Sequence, residues 1–186
     1  VGVEKTFYIF DPAESKEIGP CFRVNHFKLP AKLVIHTPAV VVDPSAKLES
    51  WVLSDRDSLI LLRAVRIEHS DLRQSIPLPC FEVYSLFHSA VESFCTVISS
   101  LTEDFRACIE LRFREPGLSI RGEASHEHPL SEFDFTNVIT NQLVCVIARM
   151  FHTEATQFSV RVLAQQDVGL YLLLSNLLYY VFYDPT

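Results

Sequence analysis

The sequence predicts an α+β fold in which two helices lie on one face of an antiparallel sheet. Three observations favour this class. Apolar residues between Phe81 and Ile98 recur at spacings of three and four, residues 107–114 alternate apolar with polar, and a similar order of elements follows later in the chain. Helices backed by hairpins bury one face of a sheet. We therefore expect a repeated unit of one helix plus three strands.

Composition restricts the class of protein further. The chain has 186 residues, 48% of them hydrophobic, with only 5 Gly and 10 Pro, which excludes a disordered or low-complexity chain. A net charge of -7 argues against a surface that binds nucleic acid or anionic membrane throughout. No two cysteines form a CxxC pair, so we expect reduced, unpaired cysteines in an intracellular protein: Cys21, Cys80, Cys95, Cys108 and Cys145.

The first part of the chain reads as extended. The first ten residues predict a strand, and residues 21–28 predict a second one. Repeated prolines between Leu29 and Pro79 disfavour long helices, so we expect a connector with strands at 40–42 and 58–65.

The predicted repeat starts after Pro79. Its first helix covers 80–99, since Pro79 suits a helix start, and strands follow at 107–114, 118–124 and 133–135. The second round begins with an apolar piece at 143–146 and a short helix at 147–151, and continues with a strand at 158–164.

The most apolar run, Val168 to Tyr183, completes that round. Its Ser175-Asn176 step predicts a tight turn between two buried strands. The run has 16 residues, fewer than the ~20 of a membrane helix, so we expect no membrane span.

No motif predicts catalysis. The chain contains no GxGxxG, GxxxxGK[ST] or GxSxG sequence, so we expect no enzyme activity, no catalytic residues and no cofactor. His126-Glu127-His128 could meet one metal ion, but zinc takes three or four ligands, and a solvated loop beside Pro129 is the favoured interpretation. We expect the cysteines to be packing residues.

Arginines cluster on the predicted strands. Phosphate binding is one interpretation of this cluster. Acidic residues interleave with the arginines, however, and favour a salt-bridged outer face of the sheet. The four residues are Arg106, Arg112, Arg114 and Arg121.

Three segments carry a resemblance to a known family. The closing segment IARMFHTEATQFSVRVLAQQDVGLYLLLSNLLYYVFYDPT resembles the end of a eukaryotic DNA sliding-clamp domain. HFKLPAKLVIHTPAVVVDP is similar to the entry into the connector of the Hus-type subunit of the checkpoint clamp, and SIPLPCFEVYSLFHSAVESF to its strand-to-helix step. The resemblance implies a DNA-clamp-like fold. Residues 1–28 would end a preceding clamp-like domain, 29–69 would be a connector with an insertion at 48–69, and 70–186 would be the clamp-like domain.

The resemblance also implies a function and its residues. The chain would be a non-catalytic subunit of a ring-shaped clamp in the nucleus, acting in DNA damage checkpoint signalling or DNA repair. Its partners would be related clamp subunits in a heterotrimer, and double-stranded DNA through the ring, with no small-molecule substrate and no membrane. Arg73 and Arg149 would face DNA. The subunit interface would be Ser131, Glu132, Phe133, Asp134, Phe135 and Thr136, and the partner-binding connector Pro38, Val40, Val41 and Val42.

One departure from the clamp pattern keeps alternatives open. Clamp helices line the channel with Lys and Arg, but residues 80–99 carry neither and include Glu82 and Glu92. The alternative is a stand-alone protein-interaction domain that captures a partner at a sheet edge or connector, without DNA contact. A metal-assisted hydrolase at His126 and His128 is a third hypothesis.

Overall fold

A computed structural model describes residues 3–11, 16–30, 47–55, 57, 59–67, 78–85, 92–129, 131–150, 157–163 and 166–183. These residues form antiparallel β-structure with a single α-helix, so the predicted two-helix α+β clamp fold is wrong. The chain divides into two compact units, one of residues 1–66 and 82–94 and the other of residues 67–81 and 95–186.

The first unit is built on four strands in chain order. They are β1 (Val3–Asp11), β2 (Lys16–Pro30), β3 (Lys47–Asp55) and β4 (Ile60–Ile67), and each pairs antiparallel with the next. The strands predicted in the first ten residues, at 21–28 and at 58–65 are confirmed. The strand predicted at 40–42 lies outside the described residues. In β3, five consecutive residues from Ser50 to Ser54 are buried, so this strand is covered on both faces.

The helix predicted at 80–99 is wrong, because its two ends are strands. These are β5 (Cys80–Ser85) and β6 (Cys95–Leu101), and the division between the units falls within β5. In β6, Cys95, Val97 and Ser99 are buried and the residues between them are half-buried, which is the period of a strand. The helix was predicted from the spacing of large apolar residues, and that spacing leaves out the buried Cys95 and Ser99.

The second unit continues from β6 as a six-stranded antiparallel meander. Its other strands are β7 (Ala107–Phe113), β8 (Ser119–Ala124), β9 (Glu132–Asn137), β10 (Gln142–Met150) and β11 (Gln157–Val162). The four strands predicted in this part, at 107–114, 118–124, 133–135 and 158–164, are confirmed as β7, β8, β9 and β11. The short helix predicted at 147–151 is wrong, because Ile147–Met150 continue β10 and pair with β11. Residue 151 lies outside the described residues.

The two strands predicted at 168–183 are also wrong. Helix α1 (Val168–Leu178) runs into a π-helical turn at Tyr179–Tyr183. Asp167 caps α1 by accepting the Leu170 N–H at 3.4 Å. The polar step that suggested a turn is absorbed within the helix, since Ser175 Oγ and Asn176 Nδ2 both donate to the Leu172 carbonyl, at 2.7 and 2.9 Å.

Helix α1 and the π-helical turn pack on one face of this sheet. Three aromatic pairs mark the contact: Phe135 with Tyr171, Phe133 with Phe182 and Phe158 with Tyr179, at centroid distances of 5.7, 5.8 and 5.9 Å. Every residue from Gly169 to Leu178 is buried. Within the described residues, no helix has the length and apolarity needed to cross a membrane.

Candidate functional site

The sheet face opposite α1 in the second unit carries polar side chains in register. Alternation along each strand sends Phe133 and Phe135 towards the helix and Asp134 to the opposite face, which we call the polar face. Across it, Cys108 is paired with Glu123, Glu123 with Asp134, Asp134 with Val146 and Val146 with Arg161. Arg121, two residues before Glu123, is paired with Glu110 and Thr136.

Glu123 holds two arginines on this face. Its Oε1 accepts from Arg121 Nε at 2.6 Å, and its Oε2 accepts from both terminal nitrogens of Arg106 at 3.4 Å. Arg106 Nη1 also donates to the Ala124 carbonyl at 2.8 Å, and its Nε donates to Asp104 Oδ2 at 2.8 Å. Arg112 pairs with Glu110 at 3.1 Å. The predicted salt-bridged outer face is confirmed for Arg106, Arg112 and Arg121.

The β6–β7 turn places Arg106 in this network. Thr102 N–H donates to the Arg106 carbonyl at 2.8 Å, and Thr102 Oγ1 accepts the Arg106 N–H at 2.9 Å. Phe105, at φ 61°, lets the chain reverse between them. Hydrogen bonds from Arg106 and then Thr102 lower the pKa of Asp104 to about 2.

Asp134 lies beside this network without joining it. Among the described residues, its carboxylate has neither a hydrogen bond nor an ion pair, although it stands directly opposite Glu123. Partial burial, together with the nearby charge of Glu132, raises its pKa, and Arg161 opposes that shift. Two acidic residues directly opposite each other on neighbouring strands repel. Asp134 therefore has an unused charge in an unfavourable position.

A surface depression of about 320 Å³ lies over this part of the polar face. It follows β8 and β9, and we call it the β8–β9 depression. Charged side chains of both signs and several polar groups line it. Its lining residues are Arg106, Arg121, Glu123, Ala124, Ser125, His126, Asp134, Thr136, Val138 and Asn141.

The His126-Glu127-His128 segment is an exposed loop between β8 and β9, as the favoured interpretation had it. Ser125 Oγ accepts the N–H groups of Glu127 and His128, both at 3.3 Å, and this fixes the turn. In the described part of the chain, no three His, Cys, Asp or Glu side chains are grouped to hold a metal ion.

Four cysteines lie in the interior and are unpaired: Cys80, Cys95, Cys108 and Cys145. Burial raises the pKa of Cys95 and of Cys145 to about 12, and it also raises the pKa of Cys80 and Cys108. A thiol with a raised pKa is a poor nucleophile. The prediction that these cysteines are packing residues fits this environment.

The predicted subunit interface, Ser131 to Thr136, is not at a sheet edge. Its strand β9 is paired with β8 on one side and β10 on the other, so it has no open backbone groups for a neighbouring subunit. Arg149 is on β10, and its N–H donates to the Ser131 carbonyl at 2.6 Å. The other predicted site residues lie outside the described residues: Arg73, Pro38, Val40, Val41 and Val42.

The edge of this sheet lies elsewhere. Strand β11 ends the strand order and, among the described residues, pairs with β10 alone. Sequence reasoning identified β11 as a strand but missed its position at the edge, because strand order depends on pairing across the whole unit. Asp134 and Thr136 line the depression, whereas the sequence prediction placed them in the subunit interface.

Comparison with known proteins adds no relative. The chain matches no family model, no curated protein and no solved structure. Its class is therefore defined by the fold itself: the described residues form an antiparallel β-protein in which one helix covers a sheet face of the second unit.

Proposed function

We propose that this chain is a protein-interaction domain that binds an extended segment of a partner polypeptide along β11. The observation that carries the proposal is the edge position of β11. The N–H of Leu163 donates to the Val144 carbonyl, and hydrogen-bonded pairs alternate along an antiparallel ladder. The backbone groups of Val160 and Val162 therefore face away from β10. They can accept a further strand.

The composition of β11 also supports the addition of a partner strand at this edge. Natural edge strands are commonly protected by proline, by a bulge or by several charges. Strand β11 contains no proline, pairs with β10 without a register shift and has one charged residue, Arg161. Such an edge is well suited to strand addition.

The side chains on β11 indicate the chemistry of the partner. Val160 and Val162 are half-buried on the α1 side, whereas Arg161 is exposed on the polar face. Leu163 and Val168, just beyond the strand, are exposed apolar residues. We expect the added strand to carry apolar residues at alternate positions, with an acidic residue opposite Arg161.

The other predicted role, ring assembly with clamp subunits around DNA in the nucleus, stays a prediction. It derives from a resemblance whose two-helix fold is absent from the described residues. The sheet-edge alternative needs only the strand order.

A display library of random ten-residue peptides, selected on the whole chain, tests the proposal. Val160→Pro removes an N–H that faces away from β10, so the β10–β11 ladder is retained and peptide binding is lost. The matched control Val160→Thr keeps the N–H and a β-branched side chain, and we expect it to bind. N-methylation of alternate residues in a selected peptide should abolish binding. Selected peptides that bind V160P as tightly as the parent chain, or a selection that enriches none, would refute strand addition.

A further inference from the structure

We propose that the β8–β9 depression binds a small molecule carrying an α-ammonium group, with Asp134 as the counter-ion of that group. This site is on the polar face and is independent of strand addition at β11. It also departs from the expectation that the protein has no small-molecule ligand.

The depression is lined by two arginines and two carboxylates, and Asp134 is the one of these four charged residues that has no ion pair among the described residues. Glu123 is shared by Arg106 and Arg121, and Arg106 also contacts Asp104 outside the depression, so both arginines already have carboxylate partners. Asp134 forms no ion pair with any described residue, Arg121 and Arg161 included. A cation that enters the depression would form a charge-assisted hydrogen bond with it.

Thr136 and Arg121 add a second point of recognition. Thr136 is two residues from Asp134 on the same face of β9, and Arg121 is directly opposite Thr136 on β8. The Nε of Arg121 donates to Glu123, while its two terminal nitrogens have no acceptor among the described residues. An ammonium group at Asp134 and Thr136, with a carbonyl or carboxylate oxygen towards Arg121, would use these groups together.

This geometry favours an organic cation over a metal ion. Both oxygens of Glu123 already accept from arginines, so Asp134 is the carboxylate in the depression that remains available. A metal ion needs several such ligands. A free amino acid and the N-terminus of a peptide both carry an ammonium group on the carbon atom next to a carbonyl carbon.

Three probes separate the parts of this proposal in an NMR titration of the whole chain. L-Alanine has both charges, L-alaninamide resembles a peptide N-terminus, and N-acetyl-L-alanine lacks the ammonium group. At pH 6.5, below the ordinary α-amino pKa of about 8, we expect the first two to shift the amide signals of Asp134 and Thr136. N-acetyl-L-alanine should not shift them. Tighter binding of alanine than of alaninamide would identify a free amino acid, and equal binding a peptide N-terminus.

Variants then assign the site to Asp134. Asp134→Asn should weaken binding of L-alanine by about tenfold or more, the loss of one charge-assisted hydrogen bond. The control Glu132→Gln removes the same charge from the same face of β9 outside the depression, and it should weaken binding much less than D134N does. D134N also removes a like-charge pair, so we expect it to fold, which circular dichroism checks. The proposal would be overturned if D134N bound L-alanine as tightly as the wild type, or if E132Q lost as much affinity as D134N. It would also be overturned if N-acetyl-L-alanine bound, or if neither amine shifted the signals at about 50 mM, a concentration that detects even weak binding.

Discussion

The ring of Phe135 lies against Gly122 on the neighbouring strand, on the face that α1 covers. The two residues are directly paired, and a methyl group added to Gly122 would contact Cε1 and lie 2.7 Å from Cδ1 and 2.8 Å from Cζ. The ring also meets Tyr171 edge-on. Glycine at this position therefore makes room for the aromatic contact between sheet and helix.

From this contact we predict that Gly122→Ala destabilises the protein by about 1–3 kcal/mol, since it overfills a packed core. Urea unfolding followed by fluorescence measures the change. Adding Phe135→Leu to G122A should recover part of the loss, because the smaller side chain relieves the clash. Strictly additive losses in the double variant would contradict this account of Gly122.

Side-chain truncations in helix α1 (Val168–Leu178) should destabilise the protein in proportion to the burial of each side chain. Leu173 is fully buried, so Leu173→Ala should cost about 2–5 kcal/mol. Val168, at the first turn, is an exposed residue, and Val168→Ala is the matched control with a change of about 0.5 kcal/mol or less. A loss for L173A that is as small as the one expected for V168A, measured by chemical denaturation, would place this segment outside the core.

Thiol reactivity should report on folding. In a Cys21→Ser background, we expect the four interior cysteines to react with a disulfide reagent at pH 8 only as the chain unfolds. Their pKa values are raised by burial, to about 12 for Cys95 and Cys145, so the folded chain holds few thiolates. The reaction rate should rise with denaturant in step with the loss of ellipticity. Rapid stoichiometric labelling of the folded chain would contradict the burial of these residues.

The Asp104 carboxylate should make a pH-dependent contribution to stability. Its pKa is lowered in the folded state to about 2, so its stabilising effect is present above its unfolded pKa of about 3.9 and disappears as the pH falls towards 2. The stability difference between the wild type and Asp104→Asn should therefore be constant above pH 5 and shrink below pH 4, about the unfolded value. Glu103, exposed beside it, has no hydrogen-bond partner among the described residues, and Glu103→Gln is the matched variant for the loss of one negative charge from this turn. A pH-independent difference for D104N would contradict the predicted role of the Arg106 and Thr102 contacts.

Strands with a regular alternation could be predicted from the sequence. Ile109 and Leu111 alternate with Glu110 and Arg112 in β7, so one face is buried and the other bears charge. The same logic failed for β5 and β6, where serine and cysteine occupy buried positions between larger residues. It also failed for 168–178, where nearly every residue is apolar and no period exists to distinguish a strand from a helix.

The candidate sites also combine features that the sequence predicts with features that depend on the tertiary structure. The arginine and acidic residues of the polar face were identified from their alternation on neighbouring strands. The convergence of Arg106 with Glu123, 17 residues apart, follows from the pairing of β7 with β8 and the Thr102 turn. The isolation of Asp134 could not be predicted, because it depends on which partner Glu123 takes.

By itself, the sequence determined the strand positions with alternating side chains, the charge on the polar face and the absence of known catalytic motifs. These properties are local, since the side-chain period belongs to a few adjacent residues. Only the tertiary structure decided that 168–178 is a helix, that β9 is internal and that β11 is an edge strand. Strand order and helix formation in a uniformly apolar segment depend on contacts between distant residues, whose free energy no local pattern encodes.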